Sequence, residues 1–266
     1  MRILLSNDDG VAAPGLAALR QAVLDLGDVT VIAPASPQSA AGHAITVYTA
    51  LEVRRLEAVS PGGFAAIAVE GRPADCVRLA IRILLPEPPE LVLSGINLGA
   101  NVGINVFYSG TVAAAAEAAM LGIPGVAFSA AYEGKPVDWP RAGALCRWVL
   151  ERLRQTGLTR GDLFNVNIPV LAPGAPRGVR FVPQSTAGVE DFYFGAPDKG
   201  GGELYQLDAD YRHRPQPDSD VAALAEGFIT VTPLHIDMTN HDRLAALTGL
   251  DWRPPVALCE VKPTQA

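Results

Sequence analysis

A chain of 266 residues that is 49% hydrophobic and 18% charged holds ample material for one large folded domain and is not a disordered segment. Its formal net charge of −7 argues against wholesale binding to nucleic-acid duplexes or anionic membranes, so a polyanionic ligand would need locally placed cations such as a metal. No apolar run reaches the roughly 18 residues of a membrane span, and the N-terminus lacks a signal-peptide layout. Three widely spaced cysteines, Cys76, Cys146 and Cys259, read as free thiols in a reducing cytoplasm rather than as a zinc site.

Along the chain, β-branched runs alternate with helix-period segments. Strand "RILLS" (2–6) precedes a helix over 14–27, with Pro14 suited to its first turn and Gly27 to its stop. "VTVIAP" (29–34) is the next strand and opens into a polar loop. Two extended runs at 50–59 and 64–71 lead to a helix over 73–85. Strand 90–95 then enters a Gly- and Asn-rich loop before an Ala-rich helix over 109–122. Strand 123–129, helix 139–155 and strand 162–169 continue the rhythm. This alternation predicts an α/β fold with a doubly wound, mainly parallel sheet. Between 171 and 219 the pattern breaks into short aromatic stretches, read as an excursion of hairpins. It resumes at "DVAALAEG" and "FITVTPL", and residues 251–266 form an arm too short to be a domain.

Ligands of doubly wound sheets bind beyond the carboxyl ends of the strands. Three strands here end in polar loops: Asn7-Asp8-Asp9-Gly10, then 35–46 with Ser39, Gly42 and His43, then 94–111 with Asn97 and Asn101. In a parallel sheet these loops share one edge. Asp8, Asp9, Ser39 and Asn97 then make an all-oxygen donor set, suited to magnesium, manganese or calcium rather than zinc. The helix that starts near Ser109-Gly110-Thr111 presents backbone N–H groups and a favourable dipole to a phosphate. Each feature also has a plain structural reading. "NDDG" is a turn, Ser-Gly-Thr an N-cap, and the Asn-Gly pairs left-handed corners. Their placement at three strand ends favours the metal-and-phosphate reading.

His43, in the second polar loop, is a candidate for hydrogen-bonding either a substrate or a group behind the ligands, and His235 a candidate for orienting a nearby carboxylate. His213 and His241 read as surface residues, and Glu117, the one acid of the Ala-rich helix, as a structural hydrogen bonder. A nucleophilic side chain finds no support. There is no G-x-S-x-G elbow, and where phospho-aspartate phosphatases carry their nucleophile this chain has Asn7.

The segments "ILLSNDDG", "PQSAAGHAIT", "GRPADCV", "SGINLGAN", "YSGTVAAAAEA", "NVNIP" and "ITVTPLHID" together resemble the SurE family of survival-protein nucleotidases, which hydrolyse nucleoside monophosphates with a divalent cation. The resemblance implies one divalent metal ion per subunit, Mg2+ or Mn2+, on Asp8, Asp9, Ser39 and Asn97, with Asp8, Asp9 and Asn97 as catalytic residues. It places Asn101, Ser109, Gly110 and Thr111 around the phosphate, and Asn7, Gly42 and His43 are further substrate-contact candidates. It also implies a Rossmann-like core over residues 1–250 and a homodimer or homotetramer that exchanges C-terminal segments, residues 251–266. Two positions depart from the family pattern: Arg72 stands where Thr is usual, and "AAAAEAA" lacks the larger residue before its acid. The expected activity is a cytoplasmic, metal-dependent 5′-nucleotidase, with 3′-nucleotides and short polyphosphate as further substrates. The alternative is a nucleotide-binding regulatory module without turnover.

Overall fold

In the computed structural model, which describes residues 1–134, 136–172, 175–196, 202–208, 212–214 and 216–248, the alternation of strands and helices becomes one nine-stranded sheet. Its strands are β1 (Arg2–Ser6), β2 (Asp28–Pro34), β3 (Val53–Val59), β4 (Phe64–Val69), β5 (Leu91–Leu98), β6 (Gly125–Ala130), β7 (Leu163–Ile168), β8 (Val179–Phe181) and β13 (Ile229–Leu234). They lie in the order β3-β4-β2-β1-β5-β6-β7-β13-β8. The six strands from β4 to β7 in that order are parallel, while β3 and β13 run antiparallel to their neighbours β4 and β7. From β1 the chain winds outward to β2 on one side and later returns to β5 on the other. The crevice above β1 and β5 is therefore the switch point where ligands of such sheets bind.

Both faces of the sheet are covered, which is why β1 reads as an unbroken apolar run. Ile3 and Leu5 point to one face, with Leu93, Phe128 and Val166. There they meet Leu16, Leu19 and Val23 of α1 (Pro14–Val23) and Cys146, Leu150 and Leu153 of α5 (Trp139–Gln155). Leu4, Ile32 and Val92 point the other way, against Cys76 and Val77 of α2 (Pro73–Leu79) and Ala114 and Ala118 of α4 (Gly110–Met120). Helix α4 is buried from Gly110 to Ala119. Its alanines let the backbone come so near the sheet that a Cβ on Gly125 of β6 would lie 2.2 Å from the Ala115 carbonyl. Burial also lifts the thiols of Cys76 and Cys146 well above the ordinary range, so both are inert packing groups.

The excursion at 171–219 is only partly made of hairpins. β8 joins the main sheet as its ninth strand, parallel to β13. The other described residues of the excursion include two small antiparallel pairs. One joins β9 (Val189–Glu190) to β12 (Arg212–His213), and the other joins β10 (Tyr193–Ala196) to β11 (Leu204–Leu207). The excursion is tethered to the Gly/Asn loop by two side chains that read one residue. The fully buried Asp220, in α6 (Asp220–Ala225), accepts the Gly103 N–H at 2.9 Å, and Gln184 Nε2 donates to the Gly103 carbonyl at 2.8 Å. The other Asp220 oxygen accepts the Ser185 and Val221 N–H groups, both at 2.8 Å.

Residues from His235 onward form a second unit. Within it, His235 Nδ1 accepts the N–H of Asp237 at 3.0 Å, beside that residue's carboxylate, and Asn240 caps α7 (His241–Thr248). The arm expected at 251–266, with Cys259, lies outside the described residues. Among the described residues no helix is long and apolar enough to cross a membrane.

Candidate active site at the β1–β5 switch point

β1 ends at Ser6, paired with Ser94 of β5, so the Asn7–Gly10 turn stands directly beside the end of β5. Asn7 is fully buried. Its Nδ2 donates to the Gly10 carbonyl at 2.9 Å and closes the turn, while its Oδ1 is buried without a partner. Asp8 is 7% exposed and takes the Thr111 hydroxyl on Oδ1. Burial pushes its pKa up, although the Thr111 hydroxyl and the amides of Thr111 and Gly110 oppose the shift. Asp9 accepts the Leu98 N–H at 3.1 Å, and burial reinforced by the charge of Asp8 pushes its pKa up to about 6.

Two further elements reach this pair. The loop after β2 runs past Asp8, where the Gln38 N–H donates to the Asp8 carbonyl at 2.8 Å, and this puts Ser39 next to the turn. β5 shifts register between Ser94 and Asn97, with Gly95 at φ +129° and so close to β6 that a Cβ there would lie 2.2 Å from the Phe128 carbonyl. No other residue fits. The kink delivers Asn97, whose Nδ2 donates to the Gly99 carbonyl at 2.7 Å, so its Oδ1 faces away from that bond.

The N-terminus of α4 closes the crevice. Ser109 Oγ accepts the Val112 N–H at 3.0 Å as the N-cap. Gly110 lies so near the turn that an added Cβ would meet Asp8 Cβ at 2.7 Å and Pro73 Cγ at 2.9 Å. Asn101 is held inward by a polar stripe on the sheet. Its N–H donates to Asn167 Oδ1 at 2.8 Å, its Nδ2 to Ser129 Oγ at 2.9 Å, and its carbonyl accepts Asn165 Nδ2 at 2.7 Å.

The crevice therefore gathers Asn7, Asp8, Asp9, Ser39, Asn97, Ser109, Gly110 and Thr111. Besides Asn7 and Ser109, further expected substrate contacts already have protein partners. The Thr111 hydroxyl holds Asp8, the Asn101 amide holds Ser129, and His43 Nε2 lies 2.9 Å from Glu117 Oε2. Gly42 binds the chain itself, donating its N–H to the Tyr108 carbonyl at 2.9 Å at the end of α3 (Asn105–Tyr108). Sequence reasoning missed Asp75, which accepts the Thr46 N–H at 2.8 Å and the Thr46 hydroxyl at 2.7 Å and so fixes the far end of the second loop. Its other signal was the family segment "GRPADCV", where an acid three residues into a helix is a capping pattern. Asp75 indeed accepts the Arg72 N–H at 2.9 Å, while the Arg72 side chain, having only donors, cannot return the bond as Thr would.

A divalent cation fits this crevice on physical grounds. Among the described residues neither Asp8 nor Asp9 has a Lys or Arg partner, and a buried carboxylate without one is costly. Among the described residues no three His, Cys, Asp or Glu side chains cluster. The nearby oxygens are those of carboxylate, amide and hydroxyl groups, the chemistry of hard ions.

Residues 3–191 match the family model described as "Survival protein SurE". The chain belongs to the SurE family. It is 43% identical over 256 residues to the 5′-nucleotidase SurE of Rhodopirellula baltica, covering 96% of this chain and 100% of that one. It is 42% identical over 253 residues to the 5′-nucleotidase SurE 1 of Thermus thermophilus, covering 94% and 98%. The crystal structure of the SurE protein from Aquifex aeolicus superposes with a TM-score of 0.79 at 34% identity, covering 93% of this chain and 98% of that one. The doubly wound sheet is thus the SurE fold, and the crevice above β1 and β5 lies within the span matched by the SurE model.

Proposed function

We propose that the chain is a 5′-nucleotidase that hydrolyses nucleoside 5′-monophosphates to nucleoside and phosphate, with one divalent cation held by Asp8, Asp9, Ser39 and Asn97. The observation that carries this reading is the meeting of two adjacent carboxylates, Asp8 buried and Asp9 half-buried and neither paired with a Lys or Arg among the described residues, with the N-terminal turn of α4 at the switch point. The names of the relatives at 42–43% identity support the same substrate class. When bound, the cation supplies Lewis-acid polarisation of the phosphoryl group and lowers the pKa of a water.

The residues of the chain do the rest. Thr111 and the amides of Gly110 and Thr111 fix the Asp8 carboxylate, so its orientation is set before a ligand arrives. With its Gly110 and Thr111 amides turned to Asp8 and its Val112 N–H bonded to Ser109 Oγ, the first turn of α4 gives the phosphate oxygens the positive end of a dipole, and the Ser109 hydroxyl keeps its proton to donate. Asp9, half-buried beside Asp8 with one oxygen on the Leu98 N–H, is the candidate for taking the proton that an attacking water releases.

The test is phosphate release from AMP and GMP by the purified protein, first after chelation and then with Mn2+ or Mg2+ restored, with 3′-nucleotides and short polyphosphate as further arms. Release that needs the cation supports the reading. Nucleotide binding without release under any metal leaves the regulatory module instead. Gly110→Ala is expected to lower kcat on the order of 10²-fold, because its Cβ displaces Asp8, and misplacement by about 1 Å costs that much. A wild-type kcat in that variant would mean that α4 and Asp8 do not act together.

A further inference from the structure

We propose that Glu117 and His43 form a latch that positions the Ser39 loop for the metal, an inference that rests on the metal site proposed above. Ser39 sits on an exposed turn without regular secondary structure, and the next residue, Ala40, holds a left-handed φ of 55°. That conformation is unfavourable for a residue with a Cβ and lasts only where the surroundings impose it. On the near side the Gln38 N–H is fixed to the Asp8 carbonyl. On the far side the Gly42 N–H is fixed to the Tyr108 carbonyl, and His43 Nε2 lies 2.9 Å from Glu117 Oε2.

Glu117 is the unusual member. It is 1% exposed on a helix otherwise lined by alanines, where a carboxylate is expensive to bury. Its Oε1 lies 2.7 Å from Arg78 Nη2 of α2, an ion pair not aligned as a hydrogen bond, and its Oε2 meets His43. One carboxylate thereby joins α2, α4 and the Ser39 loop. Eight residues separate it from Ser109, about 12 Å along the helix, so it does not reach the reacting atoms. It is a positioning residue. The helix that presents Ser109 and Gly110 and the loop that presents Ser39 are held in mutual register through it. The sequence left His43 between a substrate contact and a group behind the ligands, and its Glu117 partner favours the second.

The experiment is calorimetric titration of Mn2+ alone into metal-free full-length protein, for the wild type, His43→Ala, His43→Gln and Glu117→Ala. His43→Ala is expected to weaken Mn2+ binding about tenfold or more, as loss of a partner that orients a ligand does. His43→Gln, which keeps a donor near the Nε2 position, restores most of the affinity. At saturating Mn2+ the kcat of His43→Ala and its KM for nucleotide return to near the wild-type values, because the latch acts on the metal site and not on the substrate. Glu117→Ala follows the same pattern if its melting curve shows it folded. If it does not fold, His43→Ala decides alone, since that side chain is one-third exposed. Wild-type Mn2+ affinity in His43→Ala overturns the latch, as does a kcat loss that saturating Mn2+ does not repair. A wild-type protein that takes up no Mn2+ overturns the proposed metal site and the latch together.

Discussion

Asp9→Asn is expected to lower nucleotide hydrolysis on the order of 10³-fold, at the upper end of what one preorganised charged contact supplies, while leaving the metal-free protein at least as heat-stable as wild type. The two halves of this result have one cause. Burial and the neighbouring Asp8 charge resist the ionised form of Asp9, so its pKa is raised to about 6. At pH 7 to 8 the group is nonetheless ionised, and the metal-free fold bears the cost. An amide imitates the protonated form, keeps an oxygen for the Leu98 N–H and removes that cost. It also removes the negative charge that would attract the cation. Phosphate release and thermal melting of the same preparation check both halves. Near-wild-type turnover at saturating metal would place the active site elsewhere, and a clear drop in melting temperature would make Asp9 a structural residue.

Hydrolysis of a substrate made chiral at phosphorus by a sulfur and oxygen isotopes is expected to invert configuration. One displacement by water inverts the centre, and two displacements through a phospho-enzyme retain it. The side chains argue for one. Asn7, in register with the nucleophile of phospho-aspartate enzymes, is an amide tied to the Gly10 carbonyl and wholly buried. Asp8 has one oxygen against Thr111 and is almost fully enclosed, and one oxygen of Asp9 accepts the Leu98 N–H. A carboxylate held this way is a poor nucleophile. Retention would overturn direct attack and make Asp8 or Asp9 the attacking group.

Much of this architecture could be read in advance because local signals agree with the global fold. Helix α5 occupies the 139–155 span of its periodic stretch, and β1 and β2 lie within a residue of their apolar runs. The loop expected from residue 94 begins later, since β5 continues to Leu98 through the Gly95 kink. Glycine there signals a close approach between strands, which looks in sequence like a turn. β8 was hidden for another reason. Three residues carry no period, and their place beside β13 depends on a pairing across some fifty positions. In the site, Asp8 and Asp9 were legible because an acid pair after an apolar strand is a local pattern. Thr111 was assigned to the phosphate because nothing local shows that its hydroxyl meets a carboxylate 103 residues earlier. The partners of Glu117, His43 and Arg78, are likewise brought to it only by the packing of α2 and the second loop against α4.

The tether between the excursion and the Gly/Asn loop has a consequence for engineering. Asp220 and Gln184 grip the amide and carbonyl of one glycine, Gly103, and neither depends on the identity of a side chain in that loop. These two bonds read backbone, and beside them Asn105 Nδ2 lies 3.5 Å from His213 Nε2. The segment between residues 186 and 214 is therefore expected to be exchangeable among relatives as a cassette, provided that Gln184 and Asp220 are kept beside it and a partner for Asn105 stands where His213 does. The catalytic end of the sheet would then keep its chemistry while the surface beside it is rewritten.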